Sequence, residues 1–321
     1  MNEAEVRDVL RAYDLGQLHE TEPLDCDPRR PWRVSTAGGE YVLRECRSNG
    51  SPADLAFEHG LADWLADGGL PVSRAVVTRE GQTWVEKGGR FFALHPYSPG
   101  EPFRAGDARQ AEAAGACLAR FHEVASQYSG ARDRKPQPAY RTAQVDAHTL
   151  CSRWPHREEV KCLVQDFERL EDELTSYSLS EALLCNDFST GNVVFEGRRV
   201  PGIFDLECCH WGPRLRDLAN SILWFGLVEA AEDDAVVTVV TVYRFDLSCA
   251  RALLRGYAGA HPLPGAELRL LLLALRRQIR RWALFDQVDA QGPGRWRADE
   301  WQFSRKQIGL VDASAHLLAD G

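Results

Sequence analysis

The sequence predicts an α+β chain with two lobes, a small β-rich N-terminal lobe and a larger, mainly helical C-terminal lobe. Two observations predict this division. In the early part of the chain, apolar and polar residues alternate in short runs that glycine and proline separate, as in β-strands. Beyond the stretch YSPGEPF, apolar residues recur mostly at helical spacing. We therefore predict that residues 1–97 form the first lobe and residues 98–321 the second.

The first lobe is predicted to be a small sheet with a helix packed against it. The stretch WRVSTAGGEYVLREC alternates apolar and polar residues around a Gly-Gly turn, which is typical of a β-hairpin. Ser51 and Asp54 can cap the helix that follows, and Gly68-Gly69 ends it. Four apolar residues are predicted on one side of this helix, namely Leu55, Leu61, Trp64 and Leu65. The runs VSRAVVT, QTWVEK and RFFALHPY are predicted as further strands.

The second lobe is predicted to consist mainly of helices. Pro96, Pro99 and Gly100 mark the junction, because they interrupt regular structure and stiffen the crossing between lobes. Helices are predicted near residues 107–125, 157–176, 215–227, 245–258, 265–285 and 300–318. The exception lies between Leu183 and Glu207, where VVFEG and VPGIFD are predicted as two strands joined by the turn EGRR.

Composition and charge limit the classes of partner. The 321 residues are 44% hydrophobic and 26% charged, which is typical of a soluble globular protein. The formal net charge of -9 opposes nonspecific binding to nucleic acid or to an anionic membrane. The N-terminus is polar and acidic, and the longest apolar runs are far shorter than the roughly 20 residues that span a bilayer. We therefore expect a cytoplasmic protein, monomeric or homodimeric, without nucleic-acid or membrane partners.

Two further features are interpreted as structural. The nine cysteines are odd in number and contain no C-x-x-C pair, so we expect mostly buried apolar thiols and no structural zinc. The run RRQIRRWALF places several arginines at helical spacing. An exposed charged face is the favoured interpretation, and a contact for an anionic substrate group is the alternative.

The segment LLCNDFSTGNVVFEGRRVPGIFDLE places three candidate catalytic or metal-binding side chains at the ends of predicted strands. Asp187 follows one strand, Asn192 opens the next, and Asp205 ends the strand that returns through the turn. These three oxygen-bearing side chains are therefore predicted to converge. Each alone is more typical of a cap or a turn, but the joint pattern suits phosphoryl transfer. That reaction needs an Asp to accept a hydroxyl proton and oxygen ligands to hold Mg²⁺ on the phosphates of a nucleotide.

The loop CNDFSTGN resembles that of the aminoglycoside phosphotransferase-like kinases, which include choline kinases, type II homoserine kinases and methylthioribose kinases. In that family the loop is H-G-D-x-x-x-x-N, or begins H-N-D in choline kinase-like members. The resemblance implies a two-lobed protein kinase-like fold. It also implies that Asp187 is the catalytic base and that Asn192 and Asp205 are the magnesium ligands.

Other motifs match the family in the same order along the chain. The strand YVLRECR with Arg44 resembles the nucleotide-lobe strand, and Glu58 in LAFEHGLADWL resembles its helix partner. The stretch LHPYSPGEPF resembles the hinge, which implies that the backbone from His95 to Tyr97 binds adenine. LARFH, ending at His122, and GPRLRDLAN, containing Asp217, occupy the places of the helical-lobe motifs.

Three departures from the family pattern concern the nucleotide and the loop. Arg44 stands where the family usually has Lys; its guanidinium is always charged and can hold phosphate oxygens with two N–H groups. Cys185 replaces the first histidine of the loop, which affects loop support more than chemistry. No glycine-rich cradle is present in LDCDPRRPWRV, so Arg29 or Arg30 is a candidate phosphate contact, with a solvated hairpin as the equal alternative.

The predicted function is ATP- and Mg²⁺-dependent phosphorylation of a hydroxyl group on a small molecule. An aminoglycoside-like antibiotic or another amine-bearing metabolite is the first candidate acceptor, and homoserine or a related amino alcohol is the alternative. A catalytically silent nucleotide-binding regulator is the competing hypothesis from another class, motivated by Arg44 and Cys185.

Overall fold

The computed structural model describes residues 1–24, 31–46, 51–131, 158–229, 243–288, 298–314 and 318. Its chain divides into two units. The first contains Met1–Glu101, Tyr128–Gly130 and Pro201–Glu207, and the second contains Pro102–Gln127, Ala131–Val200 and Cys208–Gly321. The first unit holds an antiparallel sheet and the second is mostly helical, which confirms the predicted fold class.

The first unit is built on a five-stranded antiparallel sheet in the order β1-β2-β3-β5-β4. Its strands are β1 (Leu18–Pro23), β2 (Trp32–Thr36), β3 (Gly39–Glu45), β4 (Val85–Lys87) and β5 (Arg90–Pro96). The predicted hairpin is β2–β3, but Thr36 pairs with Gly39. The turn is therefore Ala37-Gly38 and not Gly38-Gly39.

Two helices contact this sheet. Helix α1 (Glu3–Leu10) shares an apolar core with Leu43 of β3 and with Phe92 and Leu94 of β5. Ala93, which points the other way because side chains alternate along a strand, packs with Leu55 of helix α2 (Pro52–Asp67). The two helices therefore use opposite faces of β5.

Helix α2 begins and ends as the sequence predicts. Ser51 and Asp54 form a capping box, in which each side chain accepts a hydrogen bond from the backbone N–H of the other residue. Gly69, with φ of +80°, follows the last turn. The predicted apolar side is confirmed for its leucines but wrong for Trp64, which is 40% exposed.

Of two further strand predictions for this lobe, one is wrong and the other is confirmed in part. The run VSRAVVT forms no strand beyond an isolated bridge from Val72, and QTWVEK is extended only over β4. Val76 donates one hydrogen bond to the carbonyl of Leu94 (2.7 Å), but no continuous ladder follows. Alternation alone therefore does not make this run a strand, because its pairing with neighbouring strands is limited to isolated contacts at Val72 and Val76.

The second unit carries the helices predicted for the second lobe, with ends that differ by a few residues. They are α3 (Ala108–Ala125), α4 (Glu158–Thr175), α5 (Arg214–Gly226), α6 (Leu247–Ala260), α7 (Gly265–Val288) and α8 (Ala298–Ser314). No described helix combines the length and apolar character needed to cross a bilayer.

Short strands lie between these helices. They are β6 (Glu181–Leu184), β7 (Val193–Glu196), β8 (Arg199–Ile203), β9 (His210–Pro213), β10 (Leu227–Glu229) and β11 (Tyr243–Phe245). The predicted pair β7–β8 is confirmed. Strand β6 pairs with β9, which the sequence does not predict because HWGP lacks an alternating pattern.

The arginines of α7 are not an exposed face, so that interpretation is wrong for this helix. Arg277 is buried and its Nε lies 2.6 Å from a carboxylate oxygen of Glu171 on α4. Arg280 is also buried and pairs with Asp312 on α8 at 2.8 Å, and with Asp166. These charges join three helices.

Helices α3 and α6 approach each other through a glycine on each helix. A Cβ atom at Gly115 would overlap the carbonyl oxygen of Leu253, and one at Gly256 would overlap that of Glu112. Because the obstacle in both cases is backbone, a side chain at either position requires the helices to separate.

We predict that Gly115→Ala lowers the free energy of unfolding by at least about 2 kcal/mol, because the added methyl group forces α3 away from α6. Urea denaturation followed by far-ultraviolet circular dichroism measures this change. Gly259→Ala is the matched control, since Gly259 lies on α6 with no atom near its missing side chain. Equal unfolding midpoints for the two variants would contradict the close approach.

Candidate active site

The loop between β6 and β7 brings Asp187 and Asn192 into contact, as the sequence predicts. The amide nitrogen of the Asn192 side chain donates to Oδ2 of Asp187 at 2.8 Å and to its backbone carbonyl at 3.0 Å. The N–H of Ser189 donates to the same carbonyl (2.9 Å), and the N–H of Asn192 donates to the carbonyl of Ser189 (3.1 Å). The five-residue spacing is thus a tight turn that fixes one carboxylate oxygen.

A buried carboxylate holds the residues that precede Asp187. Asp217, in the first turn of α5, accepts the N–H of Cys185 at 2.8 Å and the N–H of Asn186 at 2.9 Å. Nε2 of His122, on α3, lies 2.9 Å from the same carboxylate. Both side chains are almost fully buried. Asp217 therefore anchors the loop at the position just before the predicted base.

His122 is itself held by a tyrosine. The hydroxyl of Tyr257, on α6, lies 2.7 Å from Nδ1 of His122. Burial raises the pKa of Tyr257, so its hydroxyl stays protonated and can donate to that nitrogen. Nε2 then carries the proton and donates to Asp217, which places the three side chains in one hydrogen-bonded chain.

Helix α5 also supports the loop on its other side. Asn220 donates to the carbonyl of Asn186 (3.2 Å), and the hydroxyl of Ser221 donates to the carbonyl of Phe188 (3.1 Å). Gln278 and Trp282 of α7 both donate to the side-chain oxygen of Asn220, at 2.8 and 2.9 Å. Sequence reasoning did not identify Asn220 and Ser221. Their spacing from Asp217 places all three on one helix face, and polar residues that recur at this spacing are the available signal.

Cys185, which replaces the family histidine, is fully buried. The thiol of Cys209 donates to its backbone carbonyl at 3.8 Å. Hydrogen bonding with Cys209 and burial raise the pKa of the Cys185 thiol well above its ordinary value. The side chain of Cys185 is therefore a neutral packing group. The loop is supported instead by the backbone N–H of Cys185, which donates to the carboxylate of Asp217.

In the first unit, Arg44 of β3 pairs with Glu58 of α2, as the resemblance implies. One guanidinium nitrogen of Arg44 also lies 3.9 Å from Oδ1 of Asp205. Burial opposes the charge on Arg44, but the carboxylates of Glu58 and Asp205 hold its pKa above the ordinary value. Arg44 is thus a permanently charged group with a carboxylate on two sides.

Asp205 follows β8 in a left-handed backbone conformation, with φ of 60°. The chain before it is fixed by the N–H of Ile203, which donates to the carbonyl of Pro71 at 2.9 Å, and by a parallel bridge from Ile203 to Val72. Asp tolerates positive φ better than most residues that have a side chain. The turn directs the carboxylate of Asp205 toward Arg44.

The predicted adenine-binding stretch lies at the end of β5. The ring of His95 lies 5.8 Å from that of His59, and burial together with the charge of Arg44 lowers the pKa of His95 well below its ordinary value. The N–H of Tyr97 donates to the carbonyl of Glu40 at 2.9 Å and is used within the sheet. Adenine binding by this backbone stays a prediction.

The predicted site residues thus form two groups, one in each unit. Asp187 and Asn192 meet in the second unit, and Arg44, Glu58 and Asp205 meet in the first. The candidate phosphate contacts Arg29 and Arg30 lie outside the described residues.

The side chains present suit magnesium bound together with a nucleotide. Within the described part of the chain, no group of three or more His, Cys, Asp or Glu residues could hold a metal ion. Mg²⁺ does not need such a group, because it is usually bound through one or two carboxylates together with phosphate oxygens and water. The amide oxygen of Asn192 and the carboxylate of Asp205 are ligands of this kind.

The fold and these residues define a small-molecule kinase with a protein kinase-like architecture. The chain belongs to the phosphotransferase enzyme family (APH), whose family model matches residues 23–257. This confirms the resemblance found in the sequence and the prediction that the protein is a phosphotransferase.

Individual relatives share a low sequence identity with this chain. A homoserine kinase of Brucella anthropi is 26% identical over 310 residues, which cover 88% of this chain and 83% of that protein. Among solved structures, an amicoumacin kinase with AMP-PNP and Ca²⁺ has a TM-score of 0.73 at 16% identity, covering 98% of this chain and 94% of its own. A microcompartment-associated aminopropanol kinase has a TM-score of 0.71 at 15% identity, covering 99% of both chains.

We predict that Asp217→Ala lowers the free energy of unfolding by about 3–5 kcal/mol, because it leaves the buried N–H groups of Cys185 and Asn186 without an acceptor. Urea denaturation measures this loss. Glu158→Ala is the control in the same unit; it removes a 77% exposed carboxylate paired with Lys161, and we expect a change below about 1 kcal/mol. A loss for Asp217→Ala no larger than that of the control would contradict the anchoring role.

Proposed function

We propose that this protein is an ATP- and Mg²⁺-dependent O-phosphotransferase that acts on a hydroxyl of a small amine-bearing molecule. The observation that carries the proposal is the loop of Asp187, whose carboxylate is oriented by Asn192 and whose preceding backbone is anchored by buried Asp217. A loop fixed in this way suits a reaction in which positioning supplies most of the rate.

Asp187 is the proposed base. Asn192 donates to Oδ2 of its carboxylate and so orients the group that accepts the hydroxyl proton of the substrate in this proposal. The hydroxyl oxygen forms a bond to the γ-phosphorus while the bond from that phosphorus to the β–γ bridging oxygen breaks. The proton passes to Asp187 and ADP leaves with the electron pair.

Arg44 is proposed to hold the α- and β-phosphates. Its pairing with Glu58 fixes the guanidinium on the sheet, and a guanidinium can bind phosphate oxygens through two N–H groups. Asn192 and Asp205 are the proposed magnesium ligands. When bound, Mg²⁺ neutralises negative charge on the phosphates.

The proposed acceptor carries an amine. An aminoglycoside-like antibiotic or another amine-bearing metabolite is the first candidate, and the net charge of -9 is compatible with a cationic ligand. A second candidate, homoserine or a related amino alcohol, is favoured by the long match to the Brucella anthropi homoserine kinase. Mg²⁺-dependent ATP turnover against a panel of aminoglycosides, homoserine and simple amino alcohols separates the two.

We predict that Asp187→Ala abolishes phosphoryl transfer while ATP binding changes by less than about threefold, because a base acts on the acceptor and not on the nucleotide. Product formation and calorimetric ATP binding are measured on the same preparations. Glu196→Ala, which removes an exposed carboxylate of β7, is the control and should keep full turnover. Substantial turnover by Asp187→Ala would remove Asp187 from this role, and ATP binding without turnover by the original protein would favour a silent regulator.

We predict that Arg44→Ala weakens ATP binding by about 1.5–3 kcal/mol, whereas adenosine binding is nearly unchanged, because adenosine has no phosphates for the guanidinium to hold. Arg44→Lys should keep part of the affinity, since lysine retains the charge without the two-pronged geometry. Calorimetry with both ligands measures the difference. Equal weakening of ATP and adenosine would show that Arg44 supports only the structure of the lobe.

A further inference from the structure

Helix α2 has a second face, opposite to the one that carries Glu58. Phe57, Gly60 and Trp64 lie along this outer face, because residues three, four and seven apart share one side of a helix. The ring of Tyr128, from the segment Tyr128–Gly130 of the same unit, lies across it. Its centroid is 5.8 Å from that of Phe57 and 6.1 Å from that of Trp64.

Gly60 makes this contact possible. A Cβ atom at Gly60 would lie 2.7 Å from the hydroxyl oxygen of Tyr128, closer than real Cβ atoms come, but 3.8 Å from Cζ, which is an ordinary contact. Glycine inside a helix is less favourable than alanine by about 1 kcal/mol. The helix thus carries an unfavourable residue at a position where a Cβ atom would meet the tyrosine hydroxyl.

We propose that Tyr128 is a positioning residue for nucleotide binding, which fixes the rotation of α2 by packing over Gly60 and so holds Glu58 against Arg44. Glu58 and Gly60 are two positions apart, about 200° around the helix. A rotation of α2 at Gly60 therefore also displaces Glu58. The proposal rests on the proposed phosphate-binding role of Arg44.

The arrangement around Arg44 makes this positioning consequential. The guanidinium pairs with Glu58 and has Asp205 at 3.9 Å on its other side. When α2 turns and withdraws Glu58, Arg44 is left with Asp205 as its nearest carboxylate. The guanidinium then neutralises a proposed magnesium ligand and no longer has the orientation that suits the phosphates.

The test compares ATP with adenosine, because a merely stabilising role for Tyr128 would affect both ligands alike. Calorimetry is carried out on the full chain with Mg²⁺-ATP and with adenosine. We expect Tyr128→Ala and Gly60→Ala each to weaken ATP binding by about fivefold or more and to leave adenosine within about twofold.

Tyr128 and Gly60 can also be tested together, because Tyr128→Phe should relieve the effect of Gly60→Ala. Tyr128→Phe keeps the ring and should bind ATP within about twofold of the original protein. Adding Gly60→Ala to Tyr128→Phe should cause no further loss, because without the hydroxyl the new methyl group meets only the ring at an ordinary distance. A double variant that binds ATP as weakly as Gly60→Ala alone would overturn the proposal.

Two controls match the substitutions. Gly259→Ala changes a helical glycine with nothing near it, and Tyr177→Ala removes a 48% exposed tyrosine; neither should alter the ratio of ATP to adenosine affinity. Arg44→Ala is the reference for the proposed function. If Arg44→Ala lowers the ratio and Tyr128→Ala does not, the positioning role is wrong while the function stands. If Arg44→Ala leaves the ratio unchanged, the phosphate role of Arg44 is wrong and the positioning role falls with it.

Discussion

The hydrogen bonds accepted by the carboxylate of Asp217 are the interaction on which the loop of Asp187 depends. This carboxylate is fully buried, and a buried carboxylate requires hydrogen-bond donors. Two consecutive backbone N–H groups, those of Cys185 and Asn186, converge on it, and such convergence needs a left-handed residue in the turn. Asn186 provides it with φ of 62°. The loop that presents Asp187 therefore adopts a conformation in which its backbone N–H groups satisfy the buried carboxylate of Asp217.

The helices are packed so that this requirement can be met. Helices α3 and α6 approach so closely at Gly115 and Gly256 that neither position has room for a Cβ atom. Tyr257 follows Gly256, and its hydroxyl reaches His122 on α3, which in turn reaches Asp217. The small residues at this helix crossing thus allow the hydrogen bond between Tyr257 and His122 to form. A wider separation of α3 and α6 would place the two side chains beyond hydrogen-bonding distance.

The departures from the family pattern preserve what the chemistry needs. Arg44 in place of lysine remains charged and pairs with the same helix, through Glu58. Cys185 in place of histidine fills a buried position with a neutral thiol, while its backbone N–H makes the contact that orients the loop. Neither substitution removes a group that bears charge toward the proposed substrates, which supports catalysis over a silent role.

The sequence by itself determined the features that depend on neighbouring residues. The capping box of Ser51 and Asp54, the helical spacing of the second unit and the contact between Asp187 and Asn192 are all local, so their patterns are visible in the chain. Only the tertiary structure decided features whose partners are far apart in sequence. The run VSRAVVT alternates like a strand but has no ladder, and the edge strand β1 shows no alternation because most of its residues are exposed. Arg277 is buried because Glu171 arrives from another helix, and Asp217 anchors a loop thirty-one and thirty-two residues before it. A buried charge is stable only with its partner in place, and which residue becomes that partner is set by packing, not by local pattern.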